Sequence, residues 1–433
     1  MKHGGITAIS VAGFKSIRDE QRIEIRPLTI LAGANNSGKS SMMQPLLLLK
    51  QTLEAPYDPG ALKLDGPNVT FTSASEFLSK IDGKAVDGFR VEVEDDGAPA
   101  VRLSFKKARG HGLAIECMQR GETRLYPGMR ESEVLAALRG FRAIDAEGLS
   151  KYAEIQNERA ATAGTGPWEV APWRCFLQFQ LGGKGRRPGI SITGQAARHV
   201  MDAIHVPGYR GIRERIYPRT AVSERFPGTF EPYAASVIEH WQTTKDPRLH
   251  QLEQALEEMG LTARVAARPK SGGLELLVGR LPPARRARKN DLVNIADVGF
   301  GVSQAVPVLV ALLAASPGQL VYLEDPESHL HPRAQTRMAK VLADAARRQV
   351  RVVVETHSSL LLRGVQTLVA KGKLSPDLVK LHWFKRSSAG VTRVYSGELD
   401  RNGAYGEKWP EDFDDAHLES EGAYLDAAER RTA

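Results

Sequence analysis

The most constraining feature of the sequence is a strand, a glycine-rich loop and a helix in immediate succession near the N-terminus. Residues 23–31 alternate and are rich in branched side chains, and they run straight into Gly33-Ala34-Asn35-Asn36-Ser37-Gly38-Lys39-Ser40. The pattern then turns helical over 40–53 and ends near Pro56. G-x-x-x-x-G-K-[ST] in this context closes backbone N–H groups around a phosphate, and the helix N-terminus adds a favourable field. The spacing places Lys39 on the β- and γ-phosphates of ATP and Ser40 on Mg2+, with Gly33 to Gly38 and Ser41 completing the ATP-binding set.

Two further segments carry acid–base chemistry. The apolar strand expected at 320–324 ends in Glu324-Asp325-Pro326-Glu327. Carboxylates delivered to the carboxyl edge of an open α/β sheet reach the place where such sheets bind ligands. One can enter the Mg2+ shell and the next can polarise an attacking water; a solvated strand end is the alternative. One βα unit later, the strand expected at 350–355 ends in Glu355-Thr356-His357-Ser358. That puts His357 at the same edge, within reach of the γ-phosphate or the water.

The rest of the chain supports an α/β fold. Helices are expected over 303–315, 332–348 and 359–370, alternating with those strands, which implies a mostly parallel sheet. Residues 6–11 read as a strand, and 60–125 as an antiparallel region. Residues 131–160 and 232–260 read as amphipathic helices, and 273–278 as another strand. The expected division is 1–125 as the N-terminal lobe, 126–270 as an inserted, mostly helical arm, and 271–433 as the C-terminal lobe. An acidic tail runs over 411–426.

Together the phosphate loop, residues 323–332 (LEDPESHLHP) and residues 355–358 (ETHS) resemble the ABC-type ATPase heads of the OLD (overcoming lysogenization defect), RecF and SMC group, the OLD-like branch above all. Residues 11–17 (VAGFKSI) look like that group's opening strand and turn. The resemblance covers 1–55 and 290–365 and fades across the middle. It implies an ABC-type head that dimerises on ATP, as a homodimer or a higher oligomer, with a signature loop completing the partner's site. Gly299, Gly301, Ser303 and Gln304 stand in that place, although Ser303 also suits a helix N-cap. By position Glu324 takes the Mg2+-shell role and Asp325 the general-base role that relatives usually give to Glu. Asp is one methylene shorter, so slow hydrolysis or a long-lived ATP-bound dimer is expected, with Glu327 a further candidate for activating water. His329 and His331 form a metal pair or, more in keeping with the family, part of a structural turn. Residues 205–215, with Arg210, Arg213 and Arg215, resemble a Pro/Arg segment of OLD-like ATPases that faces a phosphate or fixes the arm to the head.

Composition narrows the remaining classes. The chain has 433 residues, 42% hydrophobic and 25% charged, as in ordinary globular proteins. Its longest apolar run, 305–315, is too short to span a bilayer. The opening MKHGG lacks the apolar stretch of a signal peptide, so a cytoplasmic location without membrane contact is expected. Cys117 and Cys175 lack metal-ligand spacing and read as small buried apolar residues. The net charge of +8 is compatible with nucleic acid, with basic runs at 184–187 and 285–289. Residues after His357 hold no Glu and Asp-x-Asp set on βα units, so no intrinsic nuclease is expected. A separately encoded effector, such as a nuclease of a phage-defence operon, becomes the expected partner. DNA repair or maintenance, and an ATP-gated scaffold with little turnover, remain open beside defence.

Overall fold

The computed structural model describes residues 4–81, 83–108, 112–142, 168–181, 189–210, 214–280, 291–406 and 422. The basic runs at 184–187 and 285–289, the acidic tail, Arg213 and the distal part of the helix expected at 131–160 lie outside these residues.

The fold is α/β and built in layers around a six-stranded central sheet. Its strands lie in the order Ile204–Val206, Leu320–Glu324, Arg351–Thr356, Leu28–Ala32, Val379–Arg386 and Thr392–Gly397. The first five run parallel, and the last returns antiparallel from its neighbour. Buried on both faces, Leu320–Glu324, Arg351–Thr356 and Leu28–Ala32 read as near-continuous apolar runs, as parallel strands in such a sheet do. Alternate residues of each strand feed opposite cores. Leu28, Ile30 and Ala32 face one core with the helices Ala234–Thr244, Phe300–Ala314, Pro332–Arg347 and Ser359–Ala370. Leu31, Tyr322 and Val353 face the other, with the helix Lys39–Glu54 and a second, antiparallel sheet. That second sheet has the order Gln21–Glu24, Ile6–Ala12, Gly88–Asp95, Ala98–Lys107, Leu113–Arg120 and Thr123–Leu125.

Two expected elements are each divided, with visible causes. The strand expected over 23–31 splits at Arg26-Pro27 into one strand in each sheet. Proline cannot donate to a ladder, so the chain changes sheet there. The helix expected over 232–260 breaks at Lys245, which takes a left-handed φ of 55°. Asp246 then accepts from the Arg248 amide, and Pro247 opens the next helix, Pro247–Glu258. The described residues of 126–270 contain strands as well as these helices, and they contribute to both cores. No helix among the described residues is long and apolar enough to cross a membrane.

Candidate functional site

Side-chain alternation determines which groups meet. Tyr322 and Val353 point to the face covered by the helix Lys39–Glu54. Two residues further along each strand, Glu324 and Glu355 emerge on that same face, and they are register partners. The phosphate loop sits above them at the carboxyl edge of the sheet.

The loop is shaped by close approach. Gly33 and Gly38 adopt φ of 147° and 105°. A Cβ at Gly33 would lie 2.4 Å from the Phe384 carbonyl, and one at Gly38 would lie 2.5 Å from Thr392 Oγ1. Only glycine fits either position. Asn35 and Asn36 are exposed, whereas Ser37 and Ser41 are buried. Lys39 is also buried, and its Nζ donates to the carbonyls of Gly33 and Ala34, each at 3.0 Å. Burial pulls the Lys39 ammonium below its ordinary range, against the opposing charges of Glu355, Asp325 and Glu327. A cation held by its own loop and facing three carboxylates is placed to take a phosphate.

The carboxylates differ in what holds them. Glu324 accepts from the Gly208 amide at 3.0 Å and pairs with His205 Nε2 at 3.2 Å. Burial pushes its carboxyl up, but these hydrogen bonds more than offset that and leave it below the usual range. Glu355 is buried, receives the Ser40 hydroxyl at 2.8 Å and is bonded by Tyr322. Burial and then the Glu324 charge push it up to about 8. Asp325 sits at φ 41°, a left-handed conformation that costs about 1–3 kcal/mol for a residue other than glycine. Its Oδ1 is buried without a hydrogen-bond partner, 3.8 Å from His357 Nε2. Burial raises the Asp325 carboxyl, and burial followed by the Lys39 charge lowers His357. Glu327 is buried too, with one oxygen taken by the Thr356 hydroxyl and the His357 amide and the other unpartnered. Burial raises its carboxyl.

Ser40, Asp325, Glu327, Glu355 and His357 form one oxygen-rich site, and Glu324 stands at its margin, held by His205 and the Gly208 amide. Ser40 Oγ donates to Glu355, and in the same site Asp325 Oδ1 and Glu327 Oε2 are buried without a hydrogen-bond partner; such an oxygen set suits Mg2+, which takes oxygen ligands. Among the described residues no group of three or more His, Cys, Asp or Glu side chains is arranged to hold a metal unaided.

The helix bearing Gln304 begins at Phe300, three residues before the expected start, with Gly299 as its N-cap. Gly299 and Phe300 are exposed, and Gly301 is half-buried. Ser303 is buried and donates to the Phe300 carbonyl at 3.1 Å, and Gln304 is turned inward to Arg210. The surface presented there is therefore the backbone of 299–301 and the Phe300 ring. His331 accepts from the Arg333 amide and caps its helix, and His329 lies against Phe300.

Sequence reasoning gave Glu355 no role and left Arg210 undecided. Arg210 is buried and forks across the carbonyls of Pro207, Glu324 and Asp325 at 2.9–3.1 Å while bonding Gln304. It thus fixes the carboxylate turn to the Phe300 helix, while Arg215 pairs with Asp297. Glu355 had one sequence signal: a lone charge ending the apolar run Val352-Val353-Val354.

Comparison with known proteins agrees with an ATPase. Residues 195–363 match a family model described as "AAA domain, putative AbiEii toxin, Type IV TA system", and residues 5–95 match one described as "AAA ATPase domain". No curated protein matches the chain. Similar solved structures include an SMC head bound to the C-terminal winged-helix domain of ScpA, at 13% identity and TM-score 0.47, covering 92% of this chain and 98% of that one. The SMC head domain from Thermotoga maritima is similar at 12% identity and TM-score 0.39, covering 90% of this chain and 98% of that one.

Proposed function

We propose that this protein is an ABC-type ATP-hydrolysing switch of the OLD-like kind, which closes as a homodimer on ATP and drives a separately encoded effector. The observation that carries the reading is the meeting of Lys39, Ser40 and the strand-end acids at one sheet edge under a glycine-shaped loop. Lys39 and the loop amides take the β- and γ-phosphates. Ser40, with a carboxylate beneath it, takes Mg2+, which neutralises developing charge when bound. Asp325, with a buried oxygen free to accept a proton, stands as the base that orients water, and His357 faces both it and the loop. Glu327 backs this pair from the Thr356 turn.

The exposed backbone at Gly299 and Phe300 offers a helix N-terminus to a phosphate of the partner's nucleotide. With Ser303 turned inward, that contribution comes from backbone and not from its hydroxyl. The net charge of +8 supports nucleic acid as a ligand, and the match of residues 195–363 to a toxin–antitoxin family supports a role in defence.

Titration of a fluorescent ATP analogue into Lys39→Ala is the direct test. Loss of a buried charged contact is expected to weaken binding by about 100-fold or more, the size of about 3 kcal/mol. Binding retained at wild-type strength in a folded variant would sink the reading.

A further inference from the structure

Two carboxylates lie beneath the phosphate loop, and their surroundings assign them different work. Glu324 stands where position along the chain puts a metal-shell acid. Yet its Oε2 is taken by the Gly208 amide at 3.0 Å and its Oε1 by His205 at 3.2 Å. His205 is itself fixed, buried and stacked on Tyr322 with ring centroids 5.3 Å apart. Glu324 is therefore anchored on the side away from the loop. Glu355 lies one strand nearer, between the carboxylate strand and the strand that enters the loop. Its Oε2 is 2.8 Å from Ser40 Oγ, the hydroxyl that the phosphate-loop geometry gives to the cation. Tyr322 holds the other oxygen and so aims the carboxylate at Ser40.

We propose, building on the ATP-binding reading, that Glu355 and not Glu324 is the acid facing the divalent cation of the bound nucleotide, with Tyr322 as its positioning residue. Glu324 then acts through His205 and Gly208 to tie the edge strand Ile204–Val206 to the site. A cation that dehydrates reluctantly takes one or two protein oxygens and keeps waters and phosphates for the rest. The Ser40–Glu355 pair supplies that number at hydrogen-bond separation.

The test compares Glu355→Gln and Glu324→Gln in the full chain. Mn2+ affinity is read by electron paramagnetic resonance with saturating AMP-PNP, and AMP-PNP affinity is read separately in EDTA. Glu355→Gln is expected to lower Mn2+ affinity by about 10- to 100-fold, the range for groups that hold or orient a bound metal. It should leave metal-free nucleotide binding within about threefold, and Glu324→Gln should change Mn2+ affinity by no more than that. If Glu355→Gln does not fold, Glu355→Asp, which keeps the charge and retracts it by one methylene, carries the same test. Wild-type Mn2+ affinity in the folded Glu355 variant, or an equal or larger loss in Glu324→Gln, overturns this assignment alone. A wild-type protein that binds no nucleotide overturns it together with the ATP reading.

Discussion

The strand that carries the phosphate loop has two neighbours in the sheet, and they differ in kind. On one side Arg351–Thr356 is backed by Leu320–Glu324, and the turn that follows Glu324 carries Asp325 and Glu327, each with a buried oxygen that has no hydrogen-bond partner, Asp325 at a strained φ. On the other side the hairpin Val379–Arg386 and Thr392–Gly397 pairs its polar groups. His382 bonds Ser396 and the Glu24 carbonyl, Lys380 bonds Glu24 and Glu398, and Thr392 bonds Ser16 and the Ser37 carbonyl. Reactive groups need unspent valence, so the chemical side is left unsatisfied. A cradle needs rigidity, so the shaping side is satisfied. The two sides make different predictions.

The largest expected effect falls on the acid side. Asp325→Asn keeps size and polarity but removes the base, so ATP turnover should fall by about 100-fold or more while ATP affinity changes little. Phosphate release and nucleotide titration measure the two quantities. Turnover unchanged in the variant would move the base to Glu327 and end the role given to Asp325.

On the hairpin side the expected effect is on stability, and it depends on pH. Burial lowers His382 to about 4, so the folded protein keeps it neutral while the unfolded chain binds a proton below about 6.5. In that window the unfolded state holds more protons, so stability falls as pH drops from about 6.5 towards 4. Between pH 7 and pH 5 this amounts to about 2 kcal/mol. Denaturant melts should show the loss in the wild type and its absence in His382→Gln. An equal acid loss in both proteins would place the sensitivity elsewhere.

The same contrast explains what the sequence revealed. The acid side was legible because its groups follow apolar runs: Glu324 after Leu320-Val321-Tyr322-Leu323, and His357 two residues after Glu355. Its helices were legible from their period, with ends correct to within about three residues. The hairpin was not legible. Lys380 and His382 occupy a central strand, and their polarity hides it from a reading that expects apolar cores. Only the tertiary partners Glu24, Glu398 and Ser396 make such residues tolerable there, and those partners lie far away in sequence or on the return strand. Arg210 was ambiguous for the same reason, since the carbonyls through which it holds the carboxylate turn, those of Glu324 and Asp325, lie more than a hundred residues downstream. Glu355 was overlooked because its role depends on Ser40 across the sheet.

The smallest expected effect sharpens the comparison most. Thr392 is fully buried, and its hydroxyl lies 2.7 Å from both the Ser37 carbonyl and Ser16 Oγ, directly against Gly38. Thr392→Val keeps the volume and deletes both bonds. Each is worth about 1 kcal/mol, and both exist before any nucleotide arrives, so the loss should appear in stability at about 1–2 kcal/mol. ATP affinity should change by about threefold or less, because the loop amides and Lys39 keep their places. Melting and ATP titration of the one variant measure both. A loss of affinity as large as that of Lys39→Ala, without a matching loss of stability, would give the hairpin a direct part in binding and erase the distinction between the two sides.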